Sequence, residues 1–495
     1  MRDLLDALHR NASSAGGGEA FRDHRGAVSW RDLAARVRAL AAELQGLCPP
    51  RMAIGLLGAN SVDWVVGQLA GWHAGLTVVP LPPFFPQPYL QAILRDADVR
   101  QVLATDDGLA AARDLGLPVV AISRHRHAPL ADAEPPAEGG GQIVYTSGST
   151  GTPKGVLLQS GQIPHTAAAL VTAIQARPSD RYLSAMPLAL LLETICAIAM
   201  PILVGAPVRL QPDLAAGFTT ADGRLLAQTV AEARPTCLTL TPHLLAAWVT
   251  ALTAGAATVP DSLRFVAVGG AATPPRLVDR AWTLGIPAHQ GYGLTECGSV
   301  VALNRPGEGR GHSVGRPLSD LSVTIRQGEI VVAGPSVMDG YVGQAPANGV
   351  WRTGDLGAFD ADGRLTVHGR ADNLIVTPAG RNVSPEWIEA LVASDPRIAL
   401  CLVAHVGGPH LAAAITPSAT GAAWFAAASQ DETADLVRDL CVGVPDHAVP
   451  RTVAVLSQAD LAAAGALTGN GRVRRQAART MLQAALPSLA ASEHV

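Results

Sequence analysis

Helical patterns and short apolar runs alternate along the first third of the chain, and this alternation restricts the fold more than any single motif. "SWRDLAARVRALAAELQGL" (29–47) repeats apolar residues at helical spacing, while "RMAIGLL" (51–57) is an apolar run of strand length. "SVDWVVGQLAGWHAG" (61–75) is a second helical pattern, followed at once by "LTVVPL" (76–81). Such alternation predicts an α/β sheet. The Pro-, Gly- and Glu-rich "APLADAEPPAEGGG" (128–141) reads as an exposed loop leading into a strand, "QIVYT" (142–146).

Later strand-like runs are "LRFVAVGG" (263–270) and "GEIVVAG" (328–334). "GRLTVHGRADNLIV" (363–376) reads as a hairpin crossing a domain boundary. In "SPEWIEALVAS" (384–394), Ser384 can cap a helix, Pro385 suits its first turn and Glu386 suits its dipole. "ALCLVAHV" and "HLAAAITP" then supply strands of a small α+β unit. The expected division is 1–370 and 371–495.

With 495 residues and 48% hydrophobic content the chain can fill the cores of two to four domains. A net charge of −4 and no strongly basic block give no indication of a nucleic-acid partner. "RVRRQAAR" (472–479) is expected on a solvated helix face. The six cysteines, at 48, 196, 237, 297, 401 and 441, show neither CxxC spacing nor a disulfide framework. The N-terminal stretch lacks the apolar core of a signal peptide, so a reducing cytoplasm is the expected compartment. "SAMPLALLLETICAIAMPILVGA" (184–206) approaches the length of a membrane span, but Pro187, Glu193 and Pro201 interrupt it. A buried helix is expected there, and no transmembrane span.

Of 37 basic residues, 36 are arginine; the one lysine is Lys154, in "YTSGSTGTPKGV" (145–156). Ser147, Gly148, Ser149, Thr150, Gly151 and Thr152 precede it. Two glycines let backbone N–H groups converge on an anion, four hydroxyls add donors, and a lysine supplies a compact charge where planar arginine fits poorly. Pro153 before the lysine and Gly155 after it exclude a Walker A loop. "GYGLTE" (291–296) lacks the last glycine of a dinucleotide fingerprint. It offers an aromatic face in Tyr292, a hydroxyl in Thr295 and a carboxylate in Glu296 suited to Mg²⁺. "WRTGDLG" (351–357) reads as a Gly-flanked turn on which Asp355 could accept from vicinal hydroxyls, and "HGRADNLIV" (368–376) offers Arg370 and Asp372.

In this order the motifs resemble the adenylate-forming superfamily of acyl-CoA synthetases, stand-alone acyl-adenylate ligases, peptide-synthetase adenylation domains and luciferases, over about residues 30–475. The resemblance implies a large N-terminal domain of α/β layers plus a distorted β-barrel, and a small mobile C-terminal domain. It implies that Thr146 and the 147–154 loop grip ATP phosphates, that Gly270, Ala271, Tyr292 and Gly293 lie against adenine, and that Thr295 touches the α-phosphate. Glu296 would hold Mg²⁺, Asp355 and Arg370 the ribose, and Asp372 the domain hinge.

"GHSVGRPL" (311–318), "AGRNVSPEWIE" (379–389) and "PLALLLE" (187–193) look most like the long-chain acyl-CoA synthetase branch. Leu188 stands where amino-acid-activating relatives carry an aspartate, so an acyl or aryl acid is expected, with its pocket around Leu190, Leu191, Thr194 and His243. The implied reaction forms an acyl-adenylate and passes the acyl group to a thiol, coenzyme A or the phosphopantetheine of an acyl carrier protein. One departure stands out: in "ALTGNGRVRRQ" (466–476), Arg472 occupies the place of the family's lysine that inserts during adenylation. Arginine either still delivers that charge, or leaves an impaired nucleotide-binding homologue.

Overall fold

The computed structural model describes the chain except residues 15–17, 127–139, 148–152, 160, 219, 309–312, 378–380, 396, 408–409, 419, 443, 467–473 and 487–495, and the side chains of Ser147, Asn382 and Gln458. Within it the alternation read from the sequence is present. Ser29 accepts from the Asp32 amide and caps helix Trp30–Leu47, which buries Trp30, Leu33, Val37, Leu40 and Leu44. Ser61 caps helix Val62–His73 in the same way. All residues of that helix are buried, because strands lie under one face and helices over the other.

Strands Ala53–Leu57, Thr77–Leu81, Gln101–Ala104 and Val119–Ala121 run parallel in a seven-stranded sheet. Gly141–Ser147 continues it and returns antiparallel as Pro153–Leu158, with Thr146 opposite Lys154. Gly340–Tyr341 forms its far edge. A nine-stranded sheet has as its centre Val208–Leu210, Tyr182–Ser184, Cys237–Leu240, Phe265–Val268 and Ala288–Tyr292, all parallel. The part expected as a distorted barrel is, among the described residues, an open antiparallel sheet: Ser322–Arg326, Glu329–Ala333, Val350–Phe359 and Leu365–Arg370. The fold class is otherwise the expected one.

Within 184–206, residues 191–204 form the expected buried helix, in three pieces. Leu191–Glu193 is α-helical, Thr194–Ala199 is π-helical and Met200–Val204 resumes the α form. Among the described residues no helix is long and apolar enough to cross a membrane.

Beyond residue 370 the structure departs further from the sequence pattern. Residues 363–376 are not one hairpin: Leu365–Arg370 pairs back onto Val350–Phe359, and Ile375–Val376 pairs forward with Asn382–Val383. Ser384 stands at the cap position of helix Pro385–Val392 but makes no cap bond; its hydroxyl donates to Glu386 Oε2 at 3.0 Å instead. Strands Ile398–Ala404, Ala412–Pro417 and Thr452–Val455 form a separate three-stranded sheet. The basic helix is Arg475–Ala485, and its first arginine is not solvated. Arg475 forks onto Glu389 and lies 3.3 Å from Glu386, fastening this last helix to Pro385–Val392.

Candidate active site

A single cleft of about 3300 Å³ collects most of the residues that the motifs singled out. One wall is the C-terminal end of the parallel strands of the nine-stranded sheet, where α/β folds place their ligands. Strand Phe265–Val268 ends in Gly269, Gly270 and Ala271. Gly270 has φ +87°, and a side chain there would meet nothing within 4 Å, so backbone is laid bare to the cleft. After Tyr292, a Cβ at position 293 would strike the Ser299 carbonyl, so only glycine lets the chain turn back. Thr295 and Glu296 then enter a single 3₁₀ turn, Thr295–Cys297, on the rim.

Two clusters hold the polar groups of this rim. In the first, the Tyr292 hydroxyl donates to Asp355 Oδ2 at 2.5 Å. Arg370 Nη1 donates to Asp355 Oδ1 at 3.2 Å and to the Thr353 carbonyl at 3.1 Å. Asp355 lies within strand Val350–Phe359 rather than on a turn. The strand is kinked beside it: Gly354 has φ +71°, and a Cβ there would meet the Arg370 guanidinium at 3.0 Å. Burial raises the Asp355 pKa, against the pull of the tyrosine hydroxyl and the guanidinium.

In the second cluster, the Tyr341 hydroxyl donates to Glu296 Oε1 at 2.7 Å. Lys154 Nζ stands 5.6 Å from the centre of the Tyr341 ring, within cation–π range. Lys154 is itself on the strand Pro153–Leu158, not in the loop before it. Among the described residues no three His, Cys, Asp or Glu side chains converge as a metal cage. A carboxylate such as Glu296 nevertheless suits Mg²⁺, which takes one or two carboxylates and completes its shell with phosphate oxygens and water.

The deeper part of the cleft is apolar, walled by Leu170, Ile174, Met200, Phe265 and Ala267. Leu190, Leu191 and His243 line the cleft as expected; Thr194 does not. Thr194 is fully buried, and its hydroxyl donates to the Leu188 carbonyl at 2.8 Å. Asp372 lies in the turn Ala371–Asn373, just after Arg370, and also borders the cleft. Gly148–Thr152 and Arg472 fall outside the described residues, as does the side chain of Ser147.

Sequence reading missed Tyr341, and with it the group that fixes Glu296 and faces Lys154. A signal was available: the chain has only five tyrosines, and all five line this cleft. It also missed a buried group beneath the apolar wall. Glu193 is 0% exposed, and its Oε2 lies 3.1 Å from the Tyr182 hydroxyl oxygen. Burial pushes its pKa up to about 8.

The fold places a polar rim and an apolar pocket in one α/β cleft, and comparison with known proteins gives the class. A model of the AMP-binding enzyme family matches residues 8–342, and the chain belongs to that family. It is 32% identical over 274 residues to 2-succinylbenzoate–CoA ligase of Geobacillus kaustophilus, across 52% of this chain and 54% of that one. The chain thus spans about half the length of the curated relatives it matches. The crystal structure of the anthranilate CoA ligase AuaEII with anthranoyl-AMP shares the fold, with a TM-score of 0.84 at 22% identity over 99% of this chain and 98% of that one. The amide bond synthetase McbA from Marinactinospora thermotolerans gives 0.79 at 26% identity over 96% and 99%. The superfamily read from the motifs is therefore correct. The long-chain branch is not supported by these relatives, two of which are named for 2-succinylbenzoate and anthranilate.

Proposed function

We propose that the protein is an ATP- and Mg²⁺-dependent acid–thiol ligase acting on an aryl acid. What carries the reading is the meeting in one cleft of a ribose-type clamp (Tyr292, Asp355, Arg370), a metal-type carboxylate (Glu296) with the single lysine nearby, and an apolar pocket. The CoA-ligase names of relatives support the thiol, and those named for 2-succinylbenzoate and anthranilate favour an aryl over a fatty acid.

In this reading a carboxylate oxygen attacks the α-phosphorus of ATP, the bond to the β-phosphate breaks, and pyrophosphate leaves. A thiol then attacks the acyl carbon of the adenylate, and AMP departs. Asp355 accepts from the ribose hydroxyls, and Arg370 keeps that carboxylate ionised and aimed. Lys154 and the 147–152 segment neutralise phosphate oxygens, and Thr295 touches the α-phosphate. When bound at Glu296, Mg²⁺ supplies charge neutralisation on the phosphate oxygens. We place the domain hinge near 370, at Asp372. Arg472 would enter the cleft for the first step and leave for the second.

The acceptor thiol is taken to be coenzyme A, with an acyl carrier protein as the rival. The likeness to McbA favours one further reading, attack by an amine. Mass spectrometry of a quenched mixture of protein, ATP, Mg²⁺ and a panel of aryl and aliphatic acids tests the first half-reaction. An acyl-AMP peak is expected, and adding coenzyme A should convert it to a thioester. ATP binding without an acyl-AMP peak from any acid, followed by recovery in Arg472→Lys, would instead make the natural chain an impaired homologue.

A further inference from the structure

The apolar pocket does not end in hydrocarbon. Its sheet wall is set by register: Cys237 lies opposite Tyr182 and Phe265 on its two neighbouring strands, and Thr239 opposite Ala267. These five side chains share one face of the sheet and line the cleft, while the alternate residues Leu183, Leu240 and Val266 build the core behind. Two of the five carry hydroxyls. The Tyr182 hydroxyl lies 2.9 Å from Thr239 Oγ1 and 3.1 Å from Glu193 Oε2.

Tyr182 has one proton for two acceptors, so the order of the chain depends on Glu193. Burial keeps that carboxyl protonated near neutral pH. A protonated Glu193 donates to Tyr182, Tyr182 donates to Thr239, and the Thr239 proton is left to point onward. The Cys196 thiol, a weak acceptor, stands beside it. Glu193 Oε1 meets Ser184 and the Met186 backbone but makes no well-formed hydrogen bond. Polar atoms this deeply buried are ordinarily satisfied. Glu193 also sits where the α-helix passes into the π-helical stretch Thr194–Ala199, an irregularity concentrated at functional sites.

We propose that Glu193, Tyr182 and Thr239 form a specificity site for the far end of the acid, receiving a neutral hydrogen-bonding substituent (hydroxyl, carbonyl or amine) on an aryl acid. Thr239 makes the contact; Tyr182 and Glu193 are positioning residues that set its proton. A second carboxylate does not fit. No cation acts on Glu193, Tyr182 or Cys196; Arg264 and Arg177, which act on Cys237, are not among the cleft-lining residues, and Arg264 is already paired with Asp180. The inference rests on the ligase reading above and narrows its substrate.

The test is pyrophosphate release by the full chain with ATP, Mg²⁺ and a benzoate series bearing hydrogen, methyl, hydroxyl, amino, acetyl or a second carboxylate. At least one neutral polar acid is expected to exceed its methyl analogue in kcat/KM about tenfold or more, because the methyl leaves buried polar groups unpaired. The dicarboxylate should be the poorest of the series. Thr239→Val, which keeps the side-chain shape, should bring the polar-to-methyl ratio toward one; if that variant does not fold, Tyr182→Phe reads the same ratio. Equal use of methyl and polar acids, or an unchanged ratio in the variant, overturns the specificity site and leaves the ligase standing. Release with no acid at all overturns the ligase reading, and this inference with it.

Discussion

Two buried carboxyl groups in this protein each pair with a tyrosine hydroxyl, and they are put to opposite uses. Asp355 takes its hydrogen bond from Tyr292 and has Arg370 on its other oxygen. Glu193 lies 3.1 Å from the Tyr182 hydroxyl and has no cation. Burial raises both pKa values, but only for Asp355 does a guanidinium oppose it. One site is therefore built to keep a charge beside the cleft, the other to keep a proton beneath it. The third partner, not the tyrosine, decides which.

The largest effect expected from breaking this contrast is at Asp355. Asp355→Ala removes the acceptor and leaves Arg370 and the Tyr292 hydroxyl without it. Pyrophosphate release should fall about 10²–10³-fold, the scale of a lost electrostatic contact in an active site. A loss below tenfold would place the ribose elsewhere.

Glu193 should also show itself in the pH dependence of stability. Its pKa lies at about 8, against an ordinary 4.5 in the unfolded chain. Between those values the folded state holds a proton that the unfolded state has released, so stability falls as pH rises. The loss from pH 5 to pH 8 should be on the order of a few kcal/mol. Glu193→Gln should flatten this slope in Tm against pH. Parallel slopes in the two proteins would mean that Glu193 ionises in the fold.

The smallest effect is expected from the tyrosines. Tyr292→Phe frees Asp355 from one donor and should weaken ATP binding by about 1–2 kcal/mol, read by titration calorimetry. Tyr182→Phe should act on the KM of the acid instead. If both variants moved ATP affinity equally, the two clusters would be one coupled network.

The gathering of Lys154, Tyr292 to Glu296, Asp355 and Arg370 at one end of the cleft, the proposed nucleotide end, was legible in the sequence because each is carried by a short, ordered motif. The acid end was not, because Leu170, Met200, Tyr182, Thr239 and Phe265 come from separate helices and strands, and only register brings them together. Glu193 was noticed for interrupting an apolar run, yet its hydrogen bond to a tyrosine eleven residues earlier has no local signature. Local propensity also misplaced Asp355. Flanking glycines suggested a turn, but pairing on both sides holds the segment as a strand. Ser384 stands at the cap position without capping, and its hydroxyl donates to Glu386.

The position of the single lysine gives the protein a built-in reporter. Lys154 carries the one side-chain amine in 495 residues, and it stands over Tyr341 next to Glu296. Amine-directed labelling, which on most proteins scatters over dozens of surface sites, can here modify one side chain, and that side chain is on the cleft. Its labelling rate, followed as the mass increment on the peptide that carries Lys154 and so apart from the Met1 α-amine, would read occupancy of that side of the cleft, with neither a radioactive nucleotide nor a known acid.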